Sequence, residues 1–86
     1  MKIAKLDKRH NGHQSFKYHV RFNVLELDKY VEVRNWLWET YGPSAELEVI
    51  RQTKMNVKWS WVYDQYNIKC FLASDKEYQW FVLKWG

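Results

Sequence analysis

The strict alternation of apolar and polar side chains over residues 16–27 is the feature that most constrains what this chain can fold into. From Phe16 to Val24 every second residue is apolar, and the residues between them are polar or basic. Side chains of a strand point alternately to its two faces, so this run predicts a strand with one apolar and one basic face. A lone strand cannot bury an apolar face, and the rest of the chain must therefore supply elements that cover it.

A helix is predicted to follow this strand, over residues 29–41. Asp28 stands where an N-cap residue accepts hydrogen bonds from the first free amides, and Gly42 and Pro43 end the helical run. At 100° per residue, one arc of this helix carries most of its apolar side chains, including Trp36. The sequence therefore predicts that Trp36 lies in the core.

Trp38 lies about 200° around the same helix from Trp36, so the two rings cannot face one core. Val31 and Arg34 precede Trp38 at helical spacing and share its side of the helix. We expect Trp38 either to pack under a loop or to be exposed. Trp and Arg are enriched among the residues that carry binding energy at protein interfaces, which makes this side a candidate contact surface.

Two further strands are predicted as a hairpin, residues 57–63 and 68–73, joined by a turn at 64–67. Trp59 and Trp61 have the same two-residue spacing as the tryptophans of the helix. On a strand, that spacing places both rings on one face. We expect the two rings to be buried together against the helices.

The C-terminal segment is predicted to be a second helix, residues 75–84. Ser74 and Glu77 have the spacing of a capping box, and apolar residues then recur at helical intervals. An alternative is a shorter helix and a last strand at 81–85, which would complete a ferredoxin-like βαββαβ unit. The segment AELEVI, residues 45–50, is a candidate for a short edge strand.

These elements predict one α+β domain spanning residues 1–86, in the order β-α-β-β-α, with two helices on one face of a three-stranded sheet. A chain of 86 residues buries only about 60% of its unfolded surface, so its core must be rich. The sequence meets this demand with six Trp, six Tyr and four Phe. Residues 1–15 are predicted to be a basic loop, or to contain a short extra strand at 1–6.

The face of the sheet turned away from the helices is predicted to be open and basic. It would display Lys17, His19, Arg21, Lys58, Ser60, Lys69 and Phe71. Cationic side chains that track phosphates beside an aromatic ring that stacks a base are typical of proteins that bind single-stranded nucleic acid. The alternative is an ordinary polar outer face, and a one-residue slip in register would exchange the two faces.

The residue inventory gives little support to catalysis or cofactor chemistry. No GxSxG, P-loop, HExxH or paired-cysteine motif is present. Cys70 is the single cysteine, and the HNGH run with His10 and His13 is interpreted as a turn without enough ligands for a metal. We predict no cofactor and no metal, and leave open only a small metal-independent nuclease that would use His and Lys.

Charge is distributed unevenly along the chain, whose net charge is +4. Residues 1–21 carry six Lys or Arg against one Asp, whereas residues 22–52 carry three basic and six acidic residues. A basic N-terminal third suits contact with a polyanion. The sequence has no signal-peptide or membrane-spanning run, and the protein is expected in the cytoplasm.

Three segments carry a resemblance to known proteins: KYVEVRNWLWETYGPSAE, WSWVYD and FLASDKEYQWFVLKWG. Together they resemble small uncharacterised proteins encoded by tailed bacteriophages, over residues 16–86. The resemblance implies no catalytic residues. It implies expression inside an infected bacterium, where small phage proteins bind and redirect host or phage macromolecules.

Two functions follow from these patterns. The first is a binding module for a protein partner, or for a second copy of the chain, that uses Val31, Arg34 and Trp38 with the acidic residues of segment 39–48 as a rim. A dimer could also form through the open sheet face or the AELEVI edge. The second is a binder of single-stranded nucleic acid through the basic sheet face.

Overall fold

The computed structural model describes residues 1–7, 16–55 and 57–86. Within these ranges the elements are, in chain order, β1 (Lys2–Lys5), β2 (Tyr18–Phe22), α1 (Leu27–Tyr41), α2 (Leu47–Thr53), β3 (Trp59–Tyr63), β4 (Ile68–Leu72) and α3 (Asp75–Trp85). The strands form one antiparallel sheet in the order β1-β2-β4-β3. The α+β class is confirmed, but the described chain forms four strands and three α-helices rather than three and two.

The additional strand is β1, which pairs with β2 from Lys2 opposite Arg21 to Lys5 opposite Tyr18. This confirms the alternative in which the N-terminal residues form a short strand. The HNGH run lies in residues 8–15, outside the described residues.

The strand predicted at 16–27 ends early because a capping box begins directly after β2. The side chain of Asn23 accepts a hydrogen bond from a backbone amide two residues on (2.9 Å), and Glu26 accepts one from the Asn23 amide (3.1 Å). Val24–Glu26 therefore forms a short 3-10 helix that leads into α1. The prediction that Asp28 caps the helix is wrong, because Asp28 lies inside its first turn.

The end of α1 and the start of α3 lie where the sequence predicted them. α1 stops before Gly42, whose φ of +91° is strained for any residue with a side chain. α3 begins after Ser74, whose hydroxyl donates a hydrogen bond to the carboxylate of Glu77. Because α3 is continuous to Trp85, the alternative with a last strand at 81–85 is wrong.

α1 and α3 both pack on one face of the sheet, called here the first face. Its buried residues are Val20, Phe22, Tyr30, Val33, Leu37, Trp59, Cys70, Leu72 and Phe81. Trp36 packs at the margin of this cluster, 6.2 Å from the ring centroids of Phe81 and of Trp85. The predictions that Trp36 faces the core and that the aromatic sheet face meets the helices are therefore confirmed.

The second face of the sheet is not open, because α2 covers half of it. Leu47 and Ile50 of α2 bury themselves with Leu6, Phe16 and Phe71 in a second apolar cluster. The AELEVI segment was predicted to be an edge strand, and this is wrong, since Leu47–Thr53 is helical. Only the half of the second face that α2 does not reach remains accessible.

Among the helices of the described residues, none is both long enough and apolar enough to span a membrane.

Candidate functional site

Arg34 and Trp38 lie on the side of α1 that runs along strand β3, and Val31 precedes them at helical spacing and is exposed. Trp38 is 46% exposed, and its ring packs edge-to-face on Trp59 (6.3 Å) and at a tilt on Trp61 (6.5 Å). Aromatic rings at these separations attract each other beyond the area that they bury. Trp38 is therefore packed against the rings of β3 on one part of its surface and in contact with solvent on another.

Arg34 extends this packing along β3 by lying over two aromatic rings. Its guanidinium carbon is 5.8 Å from the ring centroid of Trp61 and 5.5 Å from that of Tyr30, distances at which a cation is attracted to an aromatic face. Tyr30 in turn packs against Tyr63 at 5.6 Å. We call the resulting surface the aromatic–arginine band; its residues are Val31, Arg34, Trp38, Trp61 and Tyr63.

The band rests on buried groups that fix its geometry. Trp59 is 1% exposed and donates a hydrogen bond from Nε1 to the carbonyl of Gly42 (2.8 Å). Tyr30 is also fully buried, and its burial, with a smaller contribution from Cys70, raises the pKa of its hydroxyl to about 12. Arg34 opposes that shift without cancelling it. Both rings are thus rigid supports under the exposed side chains.

The outer edge of β3 is largely occupied by the chain itself. The amide of Ala73 donates to Lys58, and that of Asp64 to Asn67, so the even-numbered residues of this strand bond inward to β4. The odd-numbered residues, 59, 61 and 63, direct their backbone groups outward.

Two of these outward residues are covered by the segment that precedes α2. The carbonyl of Trp59 accepts a hydrogen bond from the Ser44 hydroxyl, and Trp61 forms a parallel bridge with Glu46. Dimer formation through an AELEVI edge strand therefore loses its structural basis, because that segment caps the edge instead of extending it.

The residues predicted for nucleic-acid binding are mostly not together. Phe71 is 3% exposed because it is buried in the second apolar cluster against α2, and His19, its partner on β2, is 4% exposed. The prediction that these two side chains stand on an open face is wrong, and Phe71 offers no exposed ring for a base.

Lys17 and Lys58, the two predicted lysines that lie outside the strands, contact residues away from the accessible half of the second face. The ammonium of Lys17 is 3.5 Å from the Asp75 carboxylate at the start of α3, and that of Lys58 lies 5.9 Å from the ring centroid of Tyr41. Both contacts are with groups of α3 or of α1, the helices that cover the first face. The sequence did not show this, because both residues precede the regular part of their strands.

Arg21 and Lys69 are the two predicted residues that remain side by side on the accessible half of the second face, opposite each other on β2 and β4. Lys2, which pairs with Arg21 from β1, joins them. Burial lowers the pKa of Lys69, and the charge of Arg21 lowers it further. Sequence reasoning missed Lys2 because the placement of the short N-terminal strand against β2 could not be predicted.

The chemistry of the described residues offers no metal or thiol centre. Cys70 is fully buried, which raises the pKa of its thiol. Among the residues that the structure describes, no three His, Cys, Asp or Glu side chains come together as a metal site. His10 and His13 lie outside those residues, and the absence of a metal there stays a prediction.

Comparisons with protein-family models, with curated proteins and with solved structures found no match to this chain.

Proposed function

We propose that the protein is a non-enzymatic binding module that recognises a protein partner through the aromatic–arginine band. The observation that carries the proposal is the packing of Trp38 and Arg34 on the rings of β3 while both keep part of their surface in solvent. Residues of these two types, held rigidly near the centre of a contact area, are the ones that dominate binding energies at interfaces.

Preorganisation makes the aromatic–arginine band a better candidate for partner binding than other exposed apolar residues. Trp80 on α3 is 54% exposed, comparable to Trp38, but no ring–ring or cation–ring contact of Trp80 occurs among the described residues. A side chain that is already fixed loses less conformational entropy when a partner binds. The band therefore pays a smaller ordering cost than α3 would for the same contact area.

The charges around the band define the partner's chemistry. Glu39 follows Trp38, Glu46 is bridged to Trp61, and Asp64 follows Tyr63. Hydrogen bonds from the amides of Tyr66 and Asn67 lower the pKa of Asp64, so this carboxylate is ionised at neutral pH. An apolar side chain flanked by Lys or Arg would complement both the rings and this acidic rim.

The proposal keeps the setting that the sequence suggests, a phage-encoded protein acting in the cytoplasm of an infected bacterium. Its support is the resemblance of residues 16–86 to small phage proteins. Mass spectrometry of the cytoplasmic and membrane fractions of infected cells tests this part separately from the binding surface.

Peptide binding tests the proposed contact directly. We would titrate the protein with peptides that carry one Leu or Phe flanked either by lysines or by glutamates, and follow tryptophan fluorescence. We expect the lysine-flanked peptides to bind and the glutamate-flanked ones not to bind. Trp38→Ala should weaken binding by about 2 kcal/mol, or roughly 30-fold, as at an interface hot spot.

Trp80→Ala is the matched control, because it removes a tryptophan of similar exposure from another surface. It should leave peptide affinity within about twofold of the wild type, the effect expected of a residue outside the interface. Equal loss in both variants, or binding that does not depend on Trp38, would contradict the proposal. Sedimentation tests the alternative that the partner is a second copy of the chain. A wild-type dimer that becomes monomeric in Trp38→Ala would assign the band to self-association.

A further inference from the structure

A second surface of the molecule carries three cations that the proposed function does not use. Lys2, Arg21 and Lys69 occupy one cross-strand row on β1, β2 and β4, because Lys2 is paired with Arg21 and Arg21 with Lys69. Residues directly opposite one another share a face, and neighbouring strands lie about 4.8 Å apart, so the row spans about 10 Å. We call these three residues the cation row.

Among the described residues no acidic side chain forms an ion pair with the cation row, although Glu26, which is itself paired with Met1, lies beside Lys2 and Arg21. The ion pairs in the described part of the chain join Met1 to Glu26, Lys17 to Asp75 and Arg51 to Glu48, and none of them reaches the row. Asp64 raises the pKa of Lys69, but burial and Arg21 lower it by more. Like charges directly opposite on a sheet destabilise the fold, so an anion that binds between them removes a repulsion.

The surroundings of the row favour one extended strand of anionic ligand. α2 covers the neighbouring half of the same face. On the other side a cavity of about 350 Å³ opens beside Arg21, lined by Met1, Lys2, Phe22, Asn23 and Glu26. A cationic groove that follows the backbone is how proteins hold single strands without sequence preference.

We propose that the cation row and the cavity beside it bind the phosphates of a single-stranded nucleic acid. Phe71 is buried under α2, and no other aromatic residue belongs to the row of described strand residues formed by Lys2, Arg21 and Lys69. Binding is therefore carried by phosphate contacts, is indifferent to base sequence and falls steeply with salt. The site is independent of the aromatic–arginine band, which lies on α1 and β3.

Fluorescence anisotropy of a labelled, mixed-sequence single-stranded oligonucleotide tests the proposal. With three phosphate contacts, the logarithm of affinity should fall against the logarithm of salt with a slope of about −2, or about 20-fold between about 50 mM and about 200 mM salt. The double variant Arg21→Gln, Lys69→Gln should reduce that slope to about −0.7, the value for one remaining contact.

The matched control is Lys76→Gln, Lys84→Gln, which removes the same charge from α3. We expect it to keep the wild-type slope, as should Trp38→Ala, which affects only the band. Absence of binding at low salt, an equal loss of affinity in the two double variants, or equal displacement by poly-glutamate of the same charge would each overturn the proposal. Unfolding curves for both double variants establish that the compared proteins are folded.

Discussion

Tyr30 connects the buried core with the exposed band, and its hydroxyl is one group through which stability responds to high pH. Its ring lies under the Arg34 guanidinium and against Phe22, at 5.4 Å between the ring centroids. Burial raises the pKa of the hydroxyl to about 12. The folded protein therefore holds this proton at pH values where an unfolded tyrosine, with a pKa of about 10, has lost it.

This difference predicts a loss of stability between pH 10 and 12. The contribution is complete below the unfolded pKa and disappears as the pH rises through the folded one, about 2.7 kcal/mol for a shift of roughly two pKa units. Tyr30→Phe should remove this part of the alkaline loss when urea unfolding is compared at pH about 9 and about 12. Tyr66→Phe, which removes an exposed hydroxyl, is the control and should keep the wild-type difference.

At the scale of elements, strong local sequence signals were sufficient to predict a helix or a strand. Short segments that fit both were not sufficient. β2, the β3–β4 hairpin, α1 and α3 all have long periodic patterns or recognisable caps and turns, and all of them form. In AELEVI, Leu47 and Val49 fit a strand, whereas Leu47 and Ile50 fit a helix. The segment is helical in the structure, and in that form Leu47 and Ile50 are buried with Phe71, which is distant in sequence.

A helix and a strand at residues 47–53 would bury different side chains. In the helix, Ile50 is 1% exposed and Val49 is 45% exposed, whereas in a strand Val49 would share the face of Leu47. Ile50→Ala should therefore lower the free energy of unfolding by about 2 to 4 kcal/mol, the cost of a buried cavity. Val49→Ala should change it by no more than about 0.5 kcal/mol, as at an exposed site. Urea unfolding measures both, and the reverse order of the two effects would refute the helix.

At the scale of the whole molecule, one sheet serves two apolar clusters, and this explains which site residues could be predicted. Helical spacing alone identified Val31, Arg34 and Trp38 as one side of the helix, turned away from the side of Trp36. The burial of Phe71 against α2 could not be predicted, because it depends on contacts between distant segments. For the same reason Lys2, at the other end of the chain from Lys69, became part of a row that only the sheet order reveals.

Sharing β4 should also make the two clusters unfold together. Cys70 and Leu72 belong to the first cluster and Phe71, between them, to the second. All six tryptophans lie on α1, β3 and α3, and none of them belongs to the second cluster. A change in the second cluster therefore alters tryptophan fluorescence on unfolding only if the two faces of the sheet are coupled.

We expect Ile50→Ala to shift the urea midpoint seen by tryptophan fluorescence and the midpoint seen by far-ultraviolet circular dichroism by the same amount. Coincident transitions are the signature of two-state unfolding in a domain of this size. If α2 instead unfolds separately, dichroism will change at lower urea than fluorescence, and the fluorescence midpoint will stay at its wild-type value. That outcome would mean that α2 leaves the second face by local, reversible unfolding. Phe71 would then become accessible while the first cluster stays folded.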